Sequence, residues 1–171
     1  SSQPYLADVM IVGFTFAPRG WALCDGQLLP INQYQSLYSL LGTTYGGDGR
    51  TTFGLPDLRG RVPVGVGNSQ AGTNFSYGEK TGQETVTLTA AELAQHTHTA
   101  QASSTAGNNP TPGNNIPANS ASIWRAPDGN TVSLKAGTVG SAGGGQAHDN
   151  MQPCLALNFC IALQGQFPSR N

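Results

Sequence analysis

"CLALNFCIALQG", residues 154–165, alternates along almost its whole length. Leu155, Leu157, Phe159, Ile161 and Leu163 are large and apolar, while Cys154, Ala156, Asn158, Cys160, Ala162 and Gln164 are small or polar. Successive side chains of a strand point to opposite faces. A period of two therefore predicts a strand with one core face and one face under something closely packed. Working outward, "VMIVGFTF" (residues 9–16) is a second apolar run, stopped by the turn signal Ala17-Pro18-Arg19-Gly20. "WALCDGQLLPI" follows, with Asp25-Gly26 at its middle as a two-residue hairpin signature.

The helix signal is "NQYQSLYSLLG", residues 32–42. Tyr34, Leu37 and Leu41, with neighbouring Tyr38 and Leu40, fall on one face, Asn32 is a candidate N-cap and Gly42 a stop. Beyond it "TTYGGDGRTTFGLPDLRGRV" (residues 43–62) has no periodicity. Its five glycines predict an ordered loop with backbone angles that only glycine tolerates. Within it, Asp57 and Arg59 are spaced to form an ion pair. In "ETVTLTAAELAQ", Val86 and Leu88 alternate with threonines as in a half-buried strand. Thr89-Ala90-Ala91-Glu92 then matches a capping box that opens one helical turn. His96 and His98 follow at its exit.

Only 10% of the 171 residues are charged, against roughly 25% in an average domain, and the net charge is −1. Glycine, at 23 residues, is well above its usual share of about 7%. The polar surface must come mainly from Thr, Ser, Asn and Gln, a composition suited to association rather than to mutual repulsion. Eight scattered Lys and Arg residues make no basic stripe, which argues against nucleic-acid binding. No apolar run approaches the ~20 residues of a membrane span, and no signal peptide is visible. Residues 99–123 hold no charge at all, so they are either a mobile insertion or irregular chain ordered by neighbouring subunits. Cys154 and Cys160, about 20 Å apart on a straight strand, cannot bridge each other. Cys24 could pair with either, although buried free thiols are the expectation for all three cysteines.

The blocks "FAPRGWALCDGQLLP", "LLGTTYGGDGRTTFGLPDLRGRVPVG", "LAQHTHT" and "HDNMQPCLALNFCIALQGQFPSRN" closely resemble the phage tail collar family, and within it the microcystin-dependent proteins. The resemblance covers most of the chain outside the low-complexity insert. It implies a mainly β, α+β fold with one short helix in the N-terminal part and a long Gly/Asn/Ser/Thr-rich insert. The expected divisions are an N-terminal extension (1–8), a collar-like domain (9–67), a strand and helical turn ending in His-x-His (68–98), a variable insert (99–150) and a C-terminal core strand (151–171). Some family members carry Tyr where this chain has Cys154.

By the same resemblance the expected role is structural, not enzymatic: an extracellular, cell-surface or virion subunit. It would assemble with itself as a homotrimer or a head-to-tail filament. The alternative is a tip module that binds a receptor or cell-surface glycan. Residues i and i+2 of an extended segment share a side, so His96 and His98 can direct two imidazoles at one point. Three chains would supply six nitrogens, an octahedral set suited to iron or nickel more than to zinc. Tail-fibre relatives place such an intersubunit metal site on this pattern. The other reading is two hydrogen-bonding surface histidines after a helix turn. Asp48, a lone carboxylate, is a lesser candidate for calcium. His148, beside Asp149 and Asn150, reads as part of a hydrogen-bonded turn.

No G-x-S-x-G elbow or other nucleophile constellation is present, and "GGDGRTTFG" lacks the ending of a phosphate loop. Tyr45, Phe75, Tyr77 and Trp124 lie in loop-like sequence, where aromatic faces can stack on sugars. Tyr45 and Trp124 are the candidates for ligand contact, Trp124 having the alternative of pinning the insert to the core. "SSQPYLADV" precedes the compact block and could add to the edge of a neighbour's sheet.

Overall fold

A computed structural model describes residues 3–99, 101–110, 114, 116–119, 129 and 139–170. The chain divides into two compact units, Ser1–Thr85 with Asp149–Asn171, and Val86–His148. As expected, small β-sheets dominate the described residues, and the one α-helix among them is short.

In the first unit the strand Asn158–Ala162 lies between Val9–Val12 and Trp21–Leu23, antiparallel to both. Val9 stands opposite Ile161 and Ile11 opposite Phe159; on the other side Ala22 stands opposite Ile161. The final strand is thus the centre of the sheet, and Cys160, Ile161 and Ala162 are all buried. It is shorter than its alternation predicts. Leu155 is 84% exposed and Leu157 is also exposed, because neither neighbouring strand reaches that far.

The expected hairpin at Asp25-Gly26 does not form. Trp21–Leu23 pairs with the final strand, while Leu28–Pro30 pairs with Thr52–Gly54, a strand that the glycine-rich loop conceals. Gly26, at φ +78°, turns the chain, and its N–H donates to Pro56 O at 3.1 Å. The turn signal was correct, but its two arms have non-local partners. The helix runs Gln35–Leu41 after a 3-10 turn at Ile31–Gln33. Tyr34 holds the N-cap position in place of Asn32 and makes no side-chain cap, while Gly42, at φ +55°, ends the helix. Leu37 and Leu41 face a core made with Leu6, Ala22, Cys24, Leu29, Phe53, Leu55 and Ile161. Tyr34, Tyr38 and Leu40 pack around it.

The N-terminal segment docks on its own chain rather than standing free. Leu6 N donates to Gln166 O at 2.8 Å, Gln166 N to Pro4 O at 3.0 Å, and the Leu6 side chain is buried in the core. In the second unit Ser103–Ala106 pairs in parallel with Ala118–Asn119. The strand expected through Leu88 stops at Val86, and Leu88 is exposed. Thr85–Val86 and His148–Asp149 form a further two-stranded piece.

Removing residues 1–6 should lower unfolding free energy by about 2–4 kcal/mol, from one buried leucine and two backbone bonds. Urea melts of the full and shortened chains measure this, and equal midpoints would contradict the docked position.

Candidate functional site

The loop after the helix is organised by one carboxylate. Asp48 Oδ1 accepts the N–H groups of Arg50, Thr51 and Thr52 at 2.9, 2.8 and 3.0 Å, and Oδ2 accepts the Thr51 hydroxyl at 2.9 Å. The N–H of Thr52, those of Arg50 and Thr51, and the Thr51 hydroxyl together hold the Asp48 carboxyl well below the usual carboxylate range. Both oxygens are taken by the loop's own donors, and the N–H groups that an anion would need already serve Asp48. Gly47, at φ +89°, is required here because a Cβ would collide with the backbone of Thr52 and Phe53. The Tyr38 hydroxyl donates to Gly49 O at 3.2 Å, tying the loop to the helix.

The expected Asp57–Arg59 pair forms and is bidentate, with Nε and Nη2 each 2.9 Å from a carboxylate oxygen. The Arg59 guanidinium keeps the Asp57 carboxyl low. Asp57 also bridges to Asp25 through the backbone, so the pair fastens the loop end beside the Gly26 turn.

Of the aromatic candidates, Tyr45 is half-buried against the core, and its ring meets Tyr77 edge-on at 5.8 Å. Burial, then the hydrogen bond to Tyr77, raises the Tyr45 phenol. Tyr45 is therefore a support, and Tyr77, which is exposed, presents the ring. Both line a hollow of about 300 Å³ with Asp57, Val66, Phe75 and Lys80. A second hollow, about 650 Å³, is bordered by Arg61, Val62, Val64, Lys80, Glu84 and Met151. Trp124 lies outside the described residues.

In the second unit Glu92 accepts the Thr89 N–H at 2.8 Å and the Thr89 hydroxyl at 2.7 Å, bonds that lower its carboxyl. The capping-box residues thus close a single turn. His96 and His98 follow, both exposed, with ring centroids 5.3 Å apart and planes at 87°. His96 Nδ1 lies 3.0 Å from Ala94 O. A carbonyl can only accept, so Nδ1 is the donor, and the neutral ring in this tautomer has its lone pair on Nε2. Metal-binding histidines use this same anchoring through the second ring nitrogen. Two imidazoles alone make no complete shell, and no cluster of three ligand-type residues occurs among the described residues.

His148 is exposed in its short strand, while Asp149 accepts the Met151 N–H at 2.8 Å and Asn150 binds Glu84 O and Gln83 O. The three cysteines are free. Burial, with Cys160 and Asp25 nearby, pushes the Cys24 thiol up to about 12, so it acts as an apolar filler.

The sequence reading passed over Val62, Val64 and Val66, which are apolar and exposed, and it did not foresee the exposure of Val9, Ile11 and the Phe14–Phe16 pair, whose centroids lie 4.9 Å apart. The valines' spacing of two was the available signal. No helix among the described residues is long and apolar enough to cross a membrane.

Asp48 is depressed in the folded chain, so its contribution is complete above the ordinary Asp pKa of about 3.9 and is lost as pH falls below it. The wild-type melting temperature should therefore drop as pH is lowered from about 4. Asp48→Asn should start lower at neutral pH and fall less on acidification; a parallel pair of curves would contradict this.

No curated protein matches the chain. The helix, the Asp48 loop and the two strands that flank the final one belong to the segment that does match a family: residues 7–63 match the Phage Tail Collar Domain.

Proposed function

We propose that the chain is a structural, non-enzymatic subunit of an extracellular or virion-derived fibre or filament, and that it assembles with copies of itself. The collar match at residues 7–63 carries this reading. Support comes from an exterior with few charges and from exposed apolar side chains on the first unit. The resemblance of the motifs around residues 16–67 and 148–171 to the microcystin-dependent proteins supports the finer reading that the chain is one of that group. The displaced carboxyls, Asp48, Asp57 and Glu92, are explained by bonds that hold the chain's own turns.

Three copies about an axis would bring His96 and His98 together as six imidazoles, a set that fits iron or nickel, with zinc the lesser candidate. Anchoring of the His96 ring on Ala94 O leaves Nε2 free for such a role. Sedimentation velocity across a concentration series should show species larger than one chain. Elemental analysis should find a transition metal that disappears in the His96→Ala, His98→Ala double variant. Single chains at every concentration would defeat the assembly reading; metal-free oligomers would defeat only the metal.

A second reading, a glycan-binding tip, is favoured by one observation: the exposed ring of Tyr77 beside Asp57 and Lys80 in the smaller hollow. Sugars stack on such rings while carboxylates and ammonium groups bind their hydroxyls. Saturable binding on a glycan array, lost in Tyr77→Ala, is the expected outcome, and an array with no saturable signal would exclude it.

A further inference from the structure

Among the described residues the strand Val9–Val12 has a neighbour on one side only, since it ends the three-stranded order. Ala162 N donates to Asp8 O at 2.9 Å, which sets the phase of that ladder. By that phase the peptide groups of Met10 and Val12 face the final strand, and those of Val9 and Ile11 point to the open edge. Their side chains lie on the core face of the sheet, with Ile161 and Ala22, yet they are 50% and 60% exposed. The core covers the other two strands and stops short of this one.

The same unit holds an unpaired run of matching character. Val62, Val64 and Val66 are 66%, 59% and 65% exposed. Residues 62–66 make no backbone hydrogen bond among the described residues. Pro63 keeps Val62 in extended backbone.

We infer that residues 62–66 of one copy add as a fourth, antiparallel strand to the Val9–Val12 edge of another copy, with Val64 opposite Ile11 and Val66 opposite Val9. This rests on the self-assembly proposed above and names its surface. Side chains at 62, 64 and 66 then continue the apolar face beyond Val9 and Ile11, and their peptide groups meet the open ones. Pro63 selects the direction. In the antiparallel register its missing N–H points outward, where an edge strand tolerates it. A parallel strand with its valines on the same face would turn the Pro63 nitrogen into the ladder and lose a bond. A donor strand on one copy and an acceptor edge on the next make a head-to-tail contact, which closes into a ring or runs on as a filament.

The test co-expresses two differently tagged chains, one Ile11→Cys and one Val64→Cys, both with Cys154→Ser to remove the exposed native thiol. A hydrogen-bonded antiparallel pair holds its Cα atoms about 5.5 Å apart, within disulfide reach. Mild oxidation should give a covalent dimer carrying both tags, absent when Leu28→Cys replaces Ile11→Cys. Val64→Lys should lose the large species in sedimentation while keeping the wild-type circular dichroism spectrum. Wild-type assemblies with no mixed dimer, or with equal yield from the Leu28 control, would overturn this interface and leave assembly standing. A wild type that stays a single chain would remove both.

Discussion

The first unit depends on the insertion of Asn158–Ala162 between Val9–Val12 and Trp21–Leu23. Every interior bond of that sheet joins residues more than a hundred positions apart, so the chain must close a very long loop before the core exists. Long-range pairing of this kind slows folding more than it costs stability. Two local devices reduce the burden. The helix Gln35–Leu41 presents Leu37 and Leu41 on one locally built apolar face, and the Asp48 loop fixes Phe53 and Leu55, both wholly buried, by bonds between near neighbours. The final strand then fills a site whose far wall is built locally.

What could be read in advance followed the range of the interaction. The helix was legible because Leu37 and Leu41 are four residues apart and Gly42 stops it. The Asp57–Arg59 pair was legible because its partners lie two positions apart. The final strand was legible in kind, since period two needs no partner to be seen. Its length was not, because length depends on where residues 9–12 and 21–23 run out. The hairpin failed for the same reason: Asp25-Gly26 is a true turn, but Leu29 finds Phe53 instead of Ala22. Thr52–Gly54 was hidden because a three-residue strand containing glycine carries too little alternation to register.

The candidate site was harder to read. His96 and His98 stand out by residue type, and their rings meet edge-on, but nothing in their spacing announces the Ala94 carbonyl that orients one ring. Tyr45 was chosen as an aromatic in a polar loop, whereas packing against the core gives the exposed role to Tyr77. The valines of residues 62–66 escaped notice because alternation with Pro63 and Gly65 resembles a loop. Their significance lies in exposure, a property of the folded chain.

The position of the second unit in the sequence has its own consequence. The chain leaves the first unit after Thr85 and returns at Asp149. On the first unit's side of that break, Asn150 donates to Glu84 O at 2.9 Å and to Gln83 O at 3.2 Å, so the exit and the return are fastened to each other. Whatever lies between them closes a loop whose ends are already held, and doubling its length costs only about 0.6 kcal/mol. The described core cluster is built without residues 86–148, so a change of length between the two held ends adds little closure cost to it. Among the described residues, every buried side chain of the core cluster comes from the first unit, so the packing of that core is set by residues outside 86–148.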